Sequence, residues 1–206
     1  QETALLLERG HRVSLVCQTG SPLEEHCRSL SNSQFNFKPI SMGRAMNLET
    51  FIALHRYISE TNPDIIHTHS SVDSWLAGVV GKFSGVAVVR TRHVSLPVKD
   101  FFPNHLLYSY IPERILTSGG MIADIVKQVR CVDSSRVVPI SAGVDLRRFN
   151  SGISGEKIRE ELKVKPDQSL VGKIGIIRSW KGYLYFLQAI PLILQKIPDA
   201  QFVIVG

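Results

Sequence analysis

Two histidines separated by one residue are the clearest candidates for chemistry in this sequence. His67 and His69 directly follow the apolar pair Ile65-Ile66 and precede two hydroxyl side chains. Residues two apart on an extended strand face the same side, so both imidazoles would meet one ligand. Imidazole titrates near neutral pH and suits acid–base or ligand-binding work. We expect His69 to be the functional member of the pair, whereas core packing explains His67 equally well.

The same His-x-His spacing also occurs in metal sites, which need further histidine or acidic ligands at later strand ends. His93 is available, but the sequence shows no evident set of acidic partners. Cys17, Cys27 and Cys131 have no metal-ligand spacing, and their odd number favours a reducing compartment. The sequence therefore predicts no bound metal.

Polar and glycine residues also follow the other predicted strands of this region. Arg92 and His93 offer a cation and a titratable group, although a surface arginine and a capping histidine would look the same. Ser118 and two glycines precede a helix, whose N-terminal N–H groups favour anions but equally need capping. Gly143 is expected in a tight turn. We predict that Arg92, His93, Ser118 and Gly143 contribute to substrate binding.

A second group of cations lies near the C-terminal end of the chain. Lys181-Gly182 stands at the predicted start of a helix, and Arg178 lies three residues before Lys181. Two cations beside exposed helix N–H groups make a phosphate site. A basic surface loop accounts for the same residues.

Predicted strands alternate with predicted helices along the chain. Strands are expected over 11–17, 35–40, 86–91, 114–117 and 136–140, and the stretch 63–71 is expected to begin with a short buried strand that runs into the two histidines. Because these runs are apolar throughout, they favour an α/β fold with a parallel sheet and helices on both faces. The carboxyl ends of parallel strands share one edge, so the candidate side chains should converge there. The helix after His69 presents one apolar face, made of Val72, Trp75, Leu76, Val79, Val80 and Phe83.

Small polar residues over 150–155 predict a linker. The sequence therefore predicts one domain over 1–150 and the start of a second α/β domain over 151–206. In that second part, a helix is expected over 156–163, a strand over 170–177, a helix kinked by Pro191, and a final strand over 201–205.

The composition is that of an ordinary soluble globular protein, with 206 residues, 44% of them hydrophobic and 20% charged. No apolar run approaches the length of a membrane span. The net charge of +6 would suit a phosphorylated substrate or an anionic membrane surface. Basic residues are spread along the chain without a nucleic-acid motif, so no nucleic-acid partner is expected. The first residues show neither a signal peptide nor an initiator Met, so we expect the natural start to lie upstream.

These motifs together resemble the GT-B-fold retaining glycosyltransferases of family 4, also called group 1. The resemblance covers nearly the whole chain, and the segments that carry it are 8–13, 63–70, 141–145 with Phe149, 178–182 and 202–206. The resemblance implies two Rossmann-like domains with the active site in the cleft between them, the second being incomplete here. It also implies that His69 faces the transferring sugar and that Lys181, with Arg178, holds the donor diphosphate. Such enzymes generally need no metal or other cofactor, since basic residues and a helix dipole stabilise the leaving group.

The sequence departs from the family's pattern in three places. Ile176 stands where an arginine is usual, so Arg178 would substitute for it, and Ala142 stands where an asparagine is common. The sequence also stops before the family's pair of glutamates, which flank the donor. We therefore expect these 206 residues to be nearly inactive on their own.

The function implied is transfer of a sugar from a nucleotide-diphosphate sugar to a glycan or lipid-linked acceptor in cell-envelope polysaccharide synthesis. The aromatic, basic segment 99–110 is the candidate for acceptor contact. The expected location is the cytoplasm, with peripheral association with the inner membrane as a variant. Two alternatives remain: a non-catalytic binding module of the same fold, and a nucleotide-dependent oxidoreductase or epimerase. The oxidoreductase or epimerase predicts a glycine fingerprint after a first strand, which this sequence does not show.

Overall fold

The computed structural model describes residues 2–42 and 48–206. The chain divides into two compact units, and the boundary along the sequence lies between Gly143 and Val144. This division falls before the linker that the sequence predicts after Phe149.

The first unit alternates strands and helices, as the hydrophobic pattern predicts. Its strands are β1 (Val13–Gln18), β2 (Phe35–Ile40), β3 (Ile65–Thr68), β4 (Ala87–Arg92), β5 (Arg114–Thr117) and β6 (Val137–Pro139). Its helices are α1 (Glu2–Glu8), α2 (Pro22–Ser29), α3 (Leu48–Thr61), α4 (Ser71–Phe83), α5 (Phe102–His105) and α6 (Gly120–Lys127). A π-helical turn, Leu106–Tyr110, follows α5.

All strand pairs of this unit are parallel, which confirms the predicted sheet type. β3, β4, β5 and β6 form one sheet in that order, and β1 pairs separately with β2. The register places His67 opposite Val89 and Thr68 opposite Arg90. Within residues 2–42 and 48–143, no ladder joins β1 or β2 to β3. The strands therefore form two parallel sheets where the sequence favoured one.

Two apolar clusters form the core of the first unit. One contains Leu54 and Ile58 of α3 with Leu76 and Val80 of α4, and Ile66 of β3 packs against it. The second lies between α6, β4 and β5 and the π-helical turn; it contains Val88, Leu107, Tyr108, Ile111, Ile115, Ala123, Val126, Val129 and Val137. Burial of these side chains supplies the main driving force that holds the helices on the strands.

Helix α4 packs very closely on β3 and β4. A Cβ added to Gly81 would lie 2.7 Å from Cδ1 of Ile66 and 2.9 Å from Cγ2 of Val88, so only a residue without a side chain fits. Leu76 is fully buried, but Phe83 is 89% exposed. The apolar face that the sequence predicts is therefore buried at its centre, while its first and last members, Val72 and Phe83, are exposed.

Strand β3 is also less buried than its apolar sequence predicts. Ile65 is 59% exposed, and Thr68 is buried. β3 is an edge strand of its four-stranded sheet within the part of the chain that the structure describes, so only β4 pairs with it.

The second unit contains α7 (Glu156–Glu161), β7 (Leu170–Ile174), α8 (Tyr183–Leu194) and β8 (Gln201–Val205), with β7 parallel to β8. Strand β7 ends earlier than predicted because Gly175 turns the chain at a φ of +145°. The carbonyl of Gly175 accepts a hydrogen bond from the hydroxyl of Tyr183. Helix α8 runs through Pro191. Within the described residues, none of the helices combines the length and the apolar character needed to cross a membrane.

Candidate functional site

His67 and His69 lie side by side at the carboxyl end of β3. Their ring centroids are 4.2 Å apart, which confirms that the two side chains share one side of the strand. Nε2 of His67 lies 2.6 Å from the hydroxyl of Thr91 on the neighbouring strand β4. His67 is partly buried, whereas the side chain of His69 is 44% exposed. The accessible member is therefore His69.

His93 joins this pair from the end of β4. Its ring is stacked against the ring of His69 with centroids 5.6 Å apart and planes 8° apart. Nδ1 of His69 lies 3.3 Å from Nε2 of His93, so one ring can donate a hydrogen bond to the other. The sequence correctly placed these side chains at the ends of adjacent parallel strands, and the structure brings them into contact.

The start of α4 fixes the backbone of His69. Ser70 is the N-cap, and Ser70 and Asp73 form a reciprocal capping box. The carboxylate of Asp73 accepts hydrogen bonds from the amides of His69, at 2.8 Å, and Ser70, at 2.7 Å. A negative charge in the first turn also favours the helix dipole. The capping box therefore sets where the chain leaves β3 and where His69 points.

Glu2 is a member of the site that sequence reasoning missed. It begins α1, and its Oε1 lies 2.9 Å from Nδ1 of His67 while its Oε2 lies 3.7 Å from Nε2 of His69. Glu2 and the histidines are far apart in sequence, and nothing in the spacing connects them. Only the placement of α1 beside the end of β3 brings the carboxylate to the imidazoles.

The pKa of His69 is lowered from its ordinary value. Burial of the ring is the main cause, and the neighbouring His67 acts in the same direction. The carboxylates of Glu2 and Asp73 oppose both. The site therefore favours a neutral His69 at neutral pH, with one nitrogen to donate a hydrogen bond and one to accept.

Two arginines on β4 share one tyrosine. Arg90 is only 3% exposed, its guanidinium lies 4.3 Å from the ring centroid of Tyr108, and Nη2 donates to the tyrosine hydroxyl at 3.2 Å. Arg92 donates to the same hydroxyl and to the carbonyl of Leu96. Three guanidinium nitrogens have no hydrogen-bond partner among the described residues: Nε and Nη1 of Arg90, and Nε of Arg92. Burial lowers the pKa of Arg90.

The sequence predicted Arg92 as a binding residue and missed Arg90. The available signal was a charged residue inside an otherwise apolar strand, since arginine is seldom fully buried without a partner. Ser118 lies beside the backbone of Arg92, because its amide donates to the carbonyl of Arg92 at 3.3 Å. Gly119 is the N-cap of α6, and no side chain caps that helix start.

Gly143 does not fit the role predicted for it. It lies in irregular chain, its φ is outside the left-handed range, and nothing lies within 4 Å of a Cβ built on it. The tight turn predicted at this glycine is therefore wrong. The turn comes just afterwards, where Asp145 accepts a hydrogen bond from the amide of Arg147 at 3.0 Å.

Arg178 and Lys181 lie in the second unit, just before α8. Residues Ser179–Lys181 form a 3₁₀ turn, and the amide of Lys181 donates to the carbonyl of Arg178 at 3.0 Å. Gly182 follows at a φ of +70° and is the N-cap of α8, as the sequence predicted. Both cationic side chains are exposed, and the guanidinium of Arg178 lies 5.2 Å from the ring centroid of Trp180. The turn therefore presents two cations at a helix N-terminus.

Parallel strands connected by helices, with polar side chains at the strands' carboxyl ends, define a Rossmann-like α/β unit that binds its ligand at that edge. The model of Glycosyltransferase Family 4 matches residues 3–148, and the chain belongs to that family.

A relative in Escherichia coli is named UDP-Gal:alpha-D-GlcNAc-diphosphoundecaprenol alpha-1,3-galactosyltransferase. It is 27% identical over 222 aligned residues, which cover 100% of this chain and 57% of the relative. The chain thus spans little more than half the length of that relative.

Solved structures show the same fold. A glycosyltransferase from Rickettsia africae ESF-5 is similar with a TM-score of 0.73 at 15% identity, covering 98% of this chain and 62% of that one. HepE from Anabaena in complex with UDP has a TM-score of 0.63 at 11% identity, covering 95% and 69%. The fold is therefore the Rossmann-like α/β fold of GT-B glycosyltransferases.

Because the capping box holds the backbone of His69, Asp73→Ala should loosen it. We expect the variant to lose about 1–2 kcal/mol in free energy of unfolding, measured by urea denaturation. Hydrogen exchange at the amides of His69 and Ser70 should accelerate as well. Asp64→Ala, at an exposed carboxylate before β3, is the matched control and should change stability by less than about 0.5 kcal/mol. Equal effects of the two substitutions would contradict the role of the capping box.

Proposed function

We propose that this chain is part of a glycosyltransferase that moves a sugar from a nucleotide-diphosphate sugar to an acceptor hydroxyl. The observation that carries the proposal is His69, accessible and anchored at the carboxyl edge of β3, inside the segment that matches the family. Membership of a glycosyltransferase family supports transfer over the oxidoreductase or epimerase alternative. In this reaction the acceptor oxygen bonds to the anomeric carbon, the bond to the diphosphate oxygen breaks, and the acceptor hydroxyl loses its proton.

His69 has the properties that a neutral sugar ligand requires. Its Nδ1 is directed at His93, and Nε2 faces Glu2 at 3.7 Å, beyond hydrogen-bond distance. Nε2 is therefore the nitrogen open to a sugar hydroxyl or to the charge that develops at the anomeric centre. A neutral ring, favoured by the lowered pKa, donates or accepts a hydrogen bond without requiring a counter-ion. His93 and the capping box restrict the ring, so little orientation is lost on binding.

Arg178 and Lys181 are proposed to hold the donor diphosphate. Their exposed cations lie at the start of α8, where free N–H groups and the helix dipole also favour an anion. These interactions would strengthen as the leaving diphosphate gains charge. The names of the similar proteins support the donor class, since one uses UDP-Gal and another was solved with UDP.

Arg92 is proposed to meet an anionic group of the acceptor, and the buried Arg90 on the same strand adds positive charge nearby. No described carboxylate lies within salt-bridge distance of either guanidinium, so their positive charge is not neutralised within residues 2–42 and 48–206. Large apolar side chains are exposed nearby in sequence: Leu96 is 67% exposed and Phe102 69%. Cations beside exposed apolar groups suit a lipid-linked phosphate at a membrane surface.

This arrangement supports a lipid-linked acceptor over a free glycan acceptor. Because a lipid-linked acceptor lies in a membrane, it also supports peripheral association of the enzyme with the inner membrane. The E. coli relative is named for a diphosphoundecaprenol-linked acceptor, which likewise joins an anionic phosphate group to an apolar lipid. Retention of the anomeric configuration, and near inactivity of these 206 residues alone, remain predictions from the family resemblance.

The proposed role of His69 is tested by His69→Ala in an active full-length form. We expect turnover to fall by about 100-fold or more, because the interaction with the reacting sugar is lost. The melting temperature should stay close to that of the unchanged protein, since the side chain is exposed. His26→Ala, at an exposed histidine of α2, is the matched control and should keep full turnover. Unchanged turnover in His69→Ala would rule out the assignment.

The donor site is tested by Lys181→Ala in the same full-length form. Calorimetry should show UDP binding weakened by about 10-fold or more, since a charge-assisted contact is worth roughly 1.5–3 kcal/mol. The loss should shrink at high salt. Lys165→Ala removes an equally exposed cation from the same unit and should leave the affinity unchanged. If both variants bind UDP normally, Lys181 does not contact the diphosphate.

The acceptor proposal is tested by Arg92→Gln. We expect the KM for a lipid-diphosphate acceptor to rise by about 10-fold, with little change for a neutral glycoside acceptor, because only the former presents an anion. Arg130→Gln, at an exposed arginine beyond α6, controls for net charge. An equal rise in KM for both acceptors would point to a structural role for Arg92 and contradict the proposal.

A further inference from the structure

We infer that Glu2, His67 and His69 form a binding site for a transition-metal ion of the Zn²⁺ type. Each residue offers one ligand atom, and these atoms all lie within 4.8 Å of one another. Two imidazoles and one carboxylate are a ligand set found in catalytic zinc sites, which leave a fourth position open. The sequence predicted no metal because no acidic partner was evident, and Glu2 supplies that partner from α1.

The spacing of the ligand atoms suits a tetrahedral ion. Bonds of about 2.0–2.1 Å to nitrogen and oxygen place neighbouring ligand atoms roughly 3.3–3.4 Å apart. Oε1 of Glu2 lies 2.9 Å from Nδ1 of His67, and Oε2 lies 3.7 Å from Nε2 of His69. The three ligand atoms all lie within 4.8 Å of one another, so binding an ion requires side-chain rotations that draw them together.

Both histidines are oriented by hydrogen-bond partners on β4. The hydroxyl of Thr91 lies 2.6 Å from Nε2 of His67, and Nε2 of His93 lies 3.3 Å from Nδ1 of His69. When the histidines donate these bonds, Nδ1 of His67 and Nε2 of His69 keep their lone pairs, and these are the two atoms that face Glu2. Metal-binding histidines typically donate their other ring N–H in this way.

The ligand types also indicate which ions would bind. Imidazole suits Zn²⁺ and its transition-metal neighbours, whereas Mg²⁺ and Ca²⁺ prefer sites made only of oxygen. The ion would take Nε2 of His69, the nitrogen proposed above to meet the sugar. If the proposed function holds, a bound ion therefore excludes the sugar from this nitrogen and inhibits transfer.

The site is tested by metal binding to the tag-free full-length form carrying Cys131→Ser, which removes the exposed thiol. Zn²⁺ is titrated at neutral pH in competition with a chromogenic chelator. We expect one ion per chain, not displaced by a large excess of Mg²⁺. Glu2→Gln and His69→Ala should each weaken binding by about 100-fold or more, and Thr91→Val by about 10-fold, since Thr91 only orients a ligand.

Glu25→Gln and His26→Ala, at exposed side chains of α2, are the matched controls and should bind Zn²⁺ as the parent does. Co²⁺ should give the visible absorption of a tetrahedral nitrogen and oxygen site, without the near-ultraviolet thiolate band that the remaining cysteines would produce. Absence of stoichiometric binding, a thiolate band, or equal affinity in the parent, Glu2→Gln and His69→Ala would each overturn the inference. Because no sugar or nucleotide is present, these outcomes are independent of the proposed transfer reaction.

Discussion

The capping box at the start of α4 is the interaction on which the candidate site depends. Asp73 accepts hydrogen bonds from the amides of His69 and Ser70, and this determines how the chain leaves β3. Helix α4 is itself fixed because Leu76 is fully buried and Gly81 lies directly against β3 and β4. The packed core therefore holds α4 in place, and Asp73 at the start of α4 holds the backbone of the accessible His69 at the edge of the sheet.

The surroundings of that imidazole combine neutral and charged groups in a way that suits a sugar bonded to an anion. Burial lowers the pKa of His69, which favours the neutral ring, and the ring stacks against His93. Arg90 and Arg92 lie on the neighbouring strand, and no described carboxylate lies within salt-bridge distance of either guanidinium. The same edge of the sheet therefore offers hydrogen bonds at one point and positive charge at another.

The sequence predicted the elements well wherever an apolar run was bounded by polar or turn-forming residues. Strands β2 and β5 begin and end at the predicted residues, and the two histidines share one side of β3 as their spacing requires. Helical periodicity identified the apolar face of α4 but could not show that its two ends, Val72 and Phe83, stay exposed. Gly143 was misplaced because glycine permits left-handed backbone without requiring it.

The features that sequence reasoning missed are contacts between distant parts of the chain. Glu2 reaches the histidines only because α1 lies beside the end of β3, and no local pattern encodes that placement. Arg90 was missed because its burial depends on Tyr108, which comes from a separate helical segment. The parallel strand pairing and the position of His69 at the end of a strand therefore follow from local sequence patterns. The shape and charge of the site, by contrast, follow from tertiary packing.

The central claim is that the edge carrying His69 receives the transferring sugar. The most direct measurement is a crystal structure of an active full-length form with its nucleotide-sugar donor bound intact. We expect Nε2 of His69 within hydrogen-bond distance of the sugar ring and Lys181 in contact with the diphosphate. A donor whose sugar lies away from His69, with the imidazole still directed at Glu2 and His93, would contradict it.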